Sequence, residues 1–182
     1  MIQTLAFIIV SAFLGAVSRK ALLRPRSHGF YRFFAWECIL ALVLLNVPYW
    51  TRTPLALHQL ISWTLLLISL LLVIHGLHLL QVVGKPNQNR ADAELFAFEK
   101  TSCLVTVGAY KYIRHPLIAS LLFLAWGAFC KRPTWPGLSL ALLASVLLYL
   151  TAKKEESECL QYFGTAYQTY MVGTKNFIPF IF

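Results

Sequence analysis

Two short polar stretches hold the residues best suited to chemistry. The first is Leu104-Val105-Thr106-Val107-Gly108-Ala109-Tyr110-Lys111-Tyr112-Ile113-Arg114-His115-Pro116, which runs straight into an apolar segment. Pro116 fits the first turn of a helix, where its missing N–H is not needed, and it pushes His115 toward extended backbone. Arg114 and His115 then stand at a helix N-terminus beside unpaired backbone N–H groups. Such a place favours an anion, for example a cofactor carboxylate or a lipid phosphate. The same residues also suit a plain headgroup anchor, with Tyr110 and Tyr112 as interfacial aromatics. The second stretch is Lys153-Lys154-Glu155-Glu156-Ser157-Glu158. Adjacent carboxylates point about 100° apart on a helix, so Glu155 and Glu156 serve two separate partners. A carboxylate facing a pocket would accept hydrogen bonds from ribose hydroxyls or an amine and favour a cation nearby. The alternative is a solvated charge cluster at a membrane exit.

The elements that must position these residues are apolar helices. Of 182 residues 58% are hydrophobic, against roughly 45–50% in a typical soluble domain, and the mean hydropathy is +0.65. Spanning helices need about 17–25 mostly apolar residues. Ile2 to Val17, Phe33 to Trp50 and Leu60 to Val83 come close to that length. Leu117 to Cys130 and Trp135 to Ala152, separated only by Lys131-Arg132-Pro133-Thr134, read as a helical hairpin. The expected fold is therefore an all-α, polytopic membrane bundle of about five transmembrane helices, followed by cytoplasmic C-terminal helices. There Leu160, Phe163, Tyr167 and Met171 have helical spacing, and Gly164 is a break. The chain reads as one domain, with three spans in 1–83 and a catalytic part in 84–182.

Lys and Arg number five, one, five, two and three in successive connectors and the tail. By the positive-inside tendency the N-terminus is expected outside, and the first and third connectors and the C-terminus in the cytoplasm. The net charge of +9 fits anionic headgroups better than nucleic acid, because the basic residues gather at the ends of apolar segments. The N-terminal run lacks a preceding basic region and is followed by Arg19 and Lys20, as in a retained span rather than a cleaved signal. Cys38, Cys103, Cys130 and Cys159 form no close pair, so neither a disulfide framework nor a metal site is expected. His75 and His78 share one face of the third span and are expected to point into the protein. Glu37, costly in lipid, is expected to pair across the bundle.

In this order, and around one hairpin, Leu104-Val105-Thr106 with Gly108 and Tyr110, Arg114-His115-Pro116, Glu155-Glu156, Phe163-Gly164 with Tyr167 and Tyr170, and Ile178-Pro179 resemble the isoprenylcysteine carboxyl methyltransferase and phospholipid methyltransferase superfamily. The resemblance runs from about Ser102 to the end. It implies a membrane enzyme binding S-adenosyl-L-methionine in a cytoplasm-facing pocket, while a lipophilic acceptor arrives from the bilayer. The cofactor-binding positions it implies are Ser102, Cys103, Leu104, Val105, Tyr110, His115, Pro116, Leu117, Ile118 and Glu155. Arg114, His115 and Glu156 are the candidate catalytic residues, with the acceptor's reactive head near Arg114 or Glu156.

Two positions depart from the family pattern. Ile118 stands where a tyrosine is frequent, and Thr151 where the eukaryotic prenylcysteine enzymes carry an arginine associated with the acceptor. A prenylcysteine carboxylate is therefore not the expected acceptor. Two other classes compete. One is an NADPH-dependent membrane reductase of the sterol-reductase type, whose C-terminal region has a similar Arg-His-Pro and glutamate. The other is a non-enzymatic membrane protein, which would not need His115 and Glu155 together.

Overall fold

The computed structural model describes residues 2–86 and 96–179, and the regular secondary structure among these is all helical. The elements are α1 (Ile2–Leu22), α2 (His28–Asn46), α3 (Leu57–Val82), α4 (Pro116–Cys130), α5 (Trp135–Phe163) and α6 (Thr165–Gly173), with 3-10 turns at Val47–Tyr49 and Gly108–Lys111. Asp92 and Glu94, two acidic residues of the third connector, lie outside the described residues.

Four helices (α1, α2 with its 3-10 extension, α3 and α5) are long and apolar enough to cross a bilayer. Large side chains such as Leu5, Ile8, Phe13, Leu67, Leu70, Leu71 and Ile74 are exposed along α1 and α3. An apolar exterior of that extent needs lipid rather than water around it, so this is a multi-pass membrane protein. The fifteen-residue α4 measures only about 22 Å, short of the roughly 30 Å hydrocarbon core. It packs against α3, α5 and α2, so protein rather than lipid covers much of its surface.

Helix boundaries differ from the sequence expectation at two places that matter. α2 begins at His28 rather than Phe33, because the Ser27 hydroxyl caps it by accepting the Phe30 N–H at 3.2 Å. This moves Arg32 from a connector into a helix. α5 runs past Ala152 to Phe163, so all three glutamates of the second stretch ride on one rigid helix. It ends at Gly164, whose φ of 58° and ψ of −130° lie where a side chain is not tolerated.

Small residues let α3 and α4 approach closely. The Ser62 hydroxyl donates to the Gly127 carbonyl and the Ser69 hydroxyl to the Ser120 carbonyl, each at 2.7 Å. Gly76 faces Leu117, one more heptad along. α2 lies along α5, and their shared core includes Ala35, Ile39, Leu42, Ala141, Ala144 and Leu148. Among the described residues α1 packs mainly on α2, where the Ser11 hydroxyl donates to Glu37, which was expected to find a partner across the bundle. A Cβ on Gly127 would come within 2.9 Å of the Leu66 side chain and 3.3 Å of its backbone nitrogen. Gly127→Val is therefore expected to destabilise the bundle by about 1–3 kcal/mol, seen as earlier thermal unfolding in detergent. Gly15→Val, whose Cβ meets nothing within 4 Å, is expected to change little. Equal unfolding temperatures for the two variants would contradict this packing.

Candidate functional site

The start of α2, the end of α3, the start of α4, the end of α5 and α6 converge at one end of the bundle around a cavity of about 260 Å³. That is just under the roughly 300 Å³ at which small-molecule sites begin. Its α3 and α4 walls are apolar, with Val73, Leu77, Leu117 and Leu121. Its other walls carry charge, with His28, Arg32, Glu99, Arg114, His115, Glu155 and Glu158.

Nine of the sequence-derived site residues line this cavity: Leu104, Val105, Tyr110, Arg114, His115, Pro116, Leu117, Ile118 and Glu155. Ser102, Cys103 and Glu156 do not. The N–H groups of Ser102 and Cys103 donate to the Gly84 carbonyl at 3.0 and 3.1 Å, the Ser102 hydroxyl donates to the Lys85 carbonyl at 2.8 Å, and both residues are exposed. Glu156 is buried behind the wall, where it accepts from Arg114 Nε at 2.9 Å and from Lys153 Nζ at 2.8 Å.

Arg114 is placed at the cavity, but its donors are spent on holding the chain end. Nη1 donates to the carbonyls of Thr174 and of Met171 (3.1 Å for the latter), and Nη2 donates to Asn176 Oδ1. The backbone follows suit: Arg114 N–H donates to the Lys175 carbonyl at 2.7 Å and His115 N–H to the Asn176 carbonyl at 3.2 Å, while Lys175 N–H donates to the Tyr112 carbonyl at 3.1 Å. The segment before Ile178-Pro179 is thus laid parallel to the Arg-His-Pro stretch.

His115 precedes α4 at φ −123° and ψ 61° and caps nothing with its side chain. It is 3% exposed, and neither ring nitrogen has a hydrogen-bond partner. Nδ1 lies 3.5 Å from Glu155 Oε2 and Nε2 lies 3.5 Å from Glu156 Oε1. Burial pushes the imidazole down, but the two carboxylates outweigh it and hold its pKa above the ordinary value. Leaving a buried polar group without a hydrogen bond costs about 1–3 kcal/mol, and the charged groups that face these two nitrogens are the Glu155 and Glu156 carboxylates. Glu155, 39% exposed by side chain, presents its carboxylate to the same space.

Tyr110 is positioned from both sides. Its carbonyl accepts from the Tyr170 hydroxyl at 2.6 Å, and the turn before it is built on Gly108 at φ +60°, where an added Cβ would stand 2.5 Å from His75 Nε2. Burial, aided by Glu155, raises the Tyr110 hydroxyl well above its usual range, so the ring stays neutral. His75 and His78 differ from expectation. Both are exposed, because they sit in the last turns of α3. His75 accepts the Ala109 N–H at 3.3 Å, so it braces the Gly108 turn instead of facing the bundle interior.

A second charged group on the wall was not anticipated. His28, 1% exposed, has Nδ1 at 2.5 Å from Glu158 Oε2 and Nε2 at 3.7 Å from Glu99 Oε2. Glu99 also pairs with Arg32, whose guanidinium lies 4.5 Å from the Phe96 ring centroid. His28 and Arg32 are four residues apart on α2, and a helix start read at Ser27 would have aligned them on one face. Burial raises the Glu99 carboxyl, but Arg32 and His28 prevail and hold it below the usual carboxylate range. A depressed carboxyl contributes stability that is present above its unfolded value and lost as pH falls through the folded one. Acidification from pH 6 toward pH 3 is therefore expected to lower the unfolding temperature of the parent more than that of Glu99→Gln. Parallel pH profiles would contradict it.

The chain matches no family model, no curated protein and no solved structure. The functional reading therefore rests on the sequence resemblance and on the chemistry of the cavity.

Proposed function

We propose that this protein is an integral membrane methyltransferase that binds S-adenosyl-L-methionine in the cavity and methylates a lipophilic, membrane-partitioning acceptor. The observation that supports the reading is the pairing of the buried His115, whose ring makes no hydrogen bond among the described residues, with the accessible carboxylate of Glu155 in a cavity that also presents Tyr110, Tyr167, Tyr170 and an aliphatic α3–α4 side. The group fits these residues: Glu155 would accept from ribose hydroxyls or an amine, His115 would meet a polar group of the cofactor, and the Tyr110 ring face would flank a cation. When bound, the cofactor supplies an electrophilic methyl on a sulfonium. The chain's own task is alignment and exclusion of water. Pro116, Leu117 and Ile118 wall the site, and Tyr110 and Glu155 favour positive charge. The apolar α3 and α4 side would admit an acceptor from the bilayer. With five crossings, counting α4, the N-terminus outside and the cavity on the cytoplasmic side agree with the distribution of Lys and Arg.

Charge disfavours the nicotinamide alternative. NADPH brings a pyrophosphate and a 2′-phosphate, yet the two arginines at the cavity are already engaged, Arg32 by Glu99 and Arg114 by Glu156, while the accessible group is a carboxylate. The deciding experiment is equilibrium binding of radiolabelled S-adenosylmethionine and of NADPH to detergent-purified protein. Saturable binding of the first alone is expected. Binding of NADPH alone would replace this reading by the reductase, and binding of neither by a non-enzymatic role.

For the acceptor, Thr151 lines the cavity without offering a positive charge, so labelled methyl groups are expected in a total membrane-lipid extract rather than on a farnesylated cysteine with a free carboxylate. Efficient methylation of that analogue, with no labelled lipid, would restore the prenylcysteine acceptor.

A further inference from the structure

The end of the bundle opposite the cavity is formed by the close of α2, the start of α3 and the α4–α5 hairpin. Among the described residues it carries no carboxylate side chain: the acidic ones are Glu37, midway along α2, and Glu99, Glu155, Glu156 and Glu158, which lie at or beside the cavity. It does carry three cations. Arg132 donates to the Tyr49 hydroxyl and its guanidinium lies 4.3 Å from that ring's centroid; Arg52 lies 5.1 Å from the same centroid. Lys131 is 1% exposed, with Nζ 3.1 Å from Gln59 Oε1 and 3.3 Å from the Trp63 ring centroid. The Trp50 Nε1–H is buried without a partner, although Lys131 lies over that ring as well.

Two guanidiniums lie 4.3 and 5.1 Å from the centroid of one tyrosine ring, an arrangement the ring quadrupole favours for each, with no carboxylate among the described residues at this end to neutralise them. A buried ammonium held by an amide and a ring is likewise uncompensated, since charges taken out of water need an opposite charge. The loop between them is not relaxed either: Thr53, a β-branched residue, stands at φ 46°. Arg52 and Arg132 thus share the Tyr49 ring, in a part of the chain where Tyr49, Trp50, Trp63 and Trp135 are of the kind that gather at membrane interfaces.

We propose that Arg52 and Arg132 form a binding site for the phosphate of an anionic membrane lipid, with Tyr49 as its platform and Lys131 adding charge from the protein side. Arginine suits this role because its planar fork grips phosphate oxygens in pairs. A lipid is the occupant rather than a soluble anion, because the interfacial aromatics would border its glycerol region while exposed apolar side chains below, such as Leu57 and Leu60, meet its tails. The site is independent of what the cavity binds.

The test is native mass spectrometry of the detergent-purified full chain, offered equal dioleoylphosphatidylglycerol and dioleoylphosphatidylcholine, with inorganic phosphate as competitor. The parent is expected to retain phosphatidylglycerol preferentially, with the preference falling about fivefold for each arginine removed in Arg52→Gln and in the double variant Arg52→Gln/Arg132→Gln. Arg19→Gln/Lys20→Gln, which removes two cations at the other end, is expected to keep it. Arg52 is exposed, and among the described residues its side chain has the ring contact alone, so Arg52→Gln should fold even where the double variant does not. Equal retention of the two lipids by the parent, an unchanged preference in Arg52→Gln, or displacement of phosphatidylglycerol by millimolar inorganic phosphate would each overturn the site.

Discussion

If the cavity binds S-adenosylmethionine as proposed, His115→Ala and Glu155→Ala are each expected to weaken that binding by about tenfold to a hundredfold, the equivalent of roughly 1.5–3 kcal/mol for a hydrogen bond to a charged group. Neither change should unfold the protein. His115 makes no side-chain hydrogen bond within the chain, and Glu155 is the more exposed of its two carboxylate neighbours. A residue kept only for stability would be expected to hold partners of its own. The two groups lie 3.5 Å apart, so their effects should couple, and the double variant should lose less than the sum of the single losses. The readout is radioligand binding together with thermal unfolding in the same detergent. Variants that bind as tightly as the parent would remove both residues from the site, and variants that lose binding only by unfolding would make them structural.

Arg114→Ala has the opposite signature, with a large loss of stability. The guanidinium reaches Glu156, the carbonyls of Met171 and Thr174, and the Asn176 side chain at once. Its removal leaves Glu156, 4% exposed, with Lys153 and His115 as its close cationic neighbours among the described residues. Breaking a buried pair by deleting one partner costs about 3–5 kcal/mol, a large part of the roughly 5–15 kcal/mol that stabilises a typical domain. The C-terminal segment would detach first, since Arg114 is its principal side-chain clamp. Faster proteolysis after α6 is expected, together with a lower unfolding temperature. Arg114→Lys should recover little, because one ammonium cannot reproduce a fork that bonds in several directions. Parent-like stability of Arg114→Ala would show that these contacts carry no weight, and would return Arg114 to consideration as a ligand-binding group.

Much of this protein is determined locally and was therefore legible in its residues. The length of the apolar runs dictates membrane helices. Pro116 must open α4, and four residues with Lys131 and Arg132 leave room only for a tight hairpin. Gly164 can adopt a backbone that ends α5, and the order of the polar words placed Tyr110, His115 and Glu155 in one candidate site, which line one cavity. Other features depend on contacts between residues far apart in the chain, about which local spacing says nothing. His28 meets Glu158 across 130 positions and Arg32 meets Glu99 across 67, so the charged wall of the cavity exists only once α2 lies along α5. The same holds for Arg114, whose type and place fit an anion site until the chain end folds back and occupies its donors, and for Ser102 and Cys103, which the Gly84 carbonyl turns outward. Helix periodicity and proline chemistry act over a few residues and are written in the sequence. Which charge neutralises which, and which stays open to a ligand, is decided by helix packing, because in a low-dielectric interior each buried charge must find its partner wherever the fold brings one.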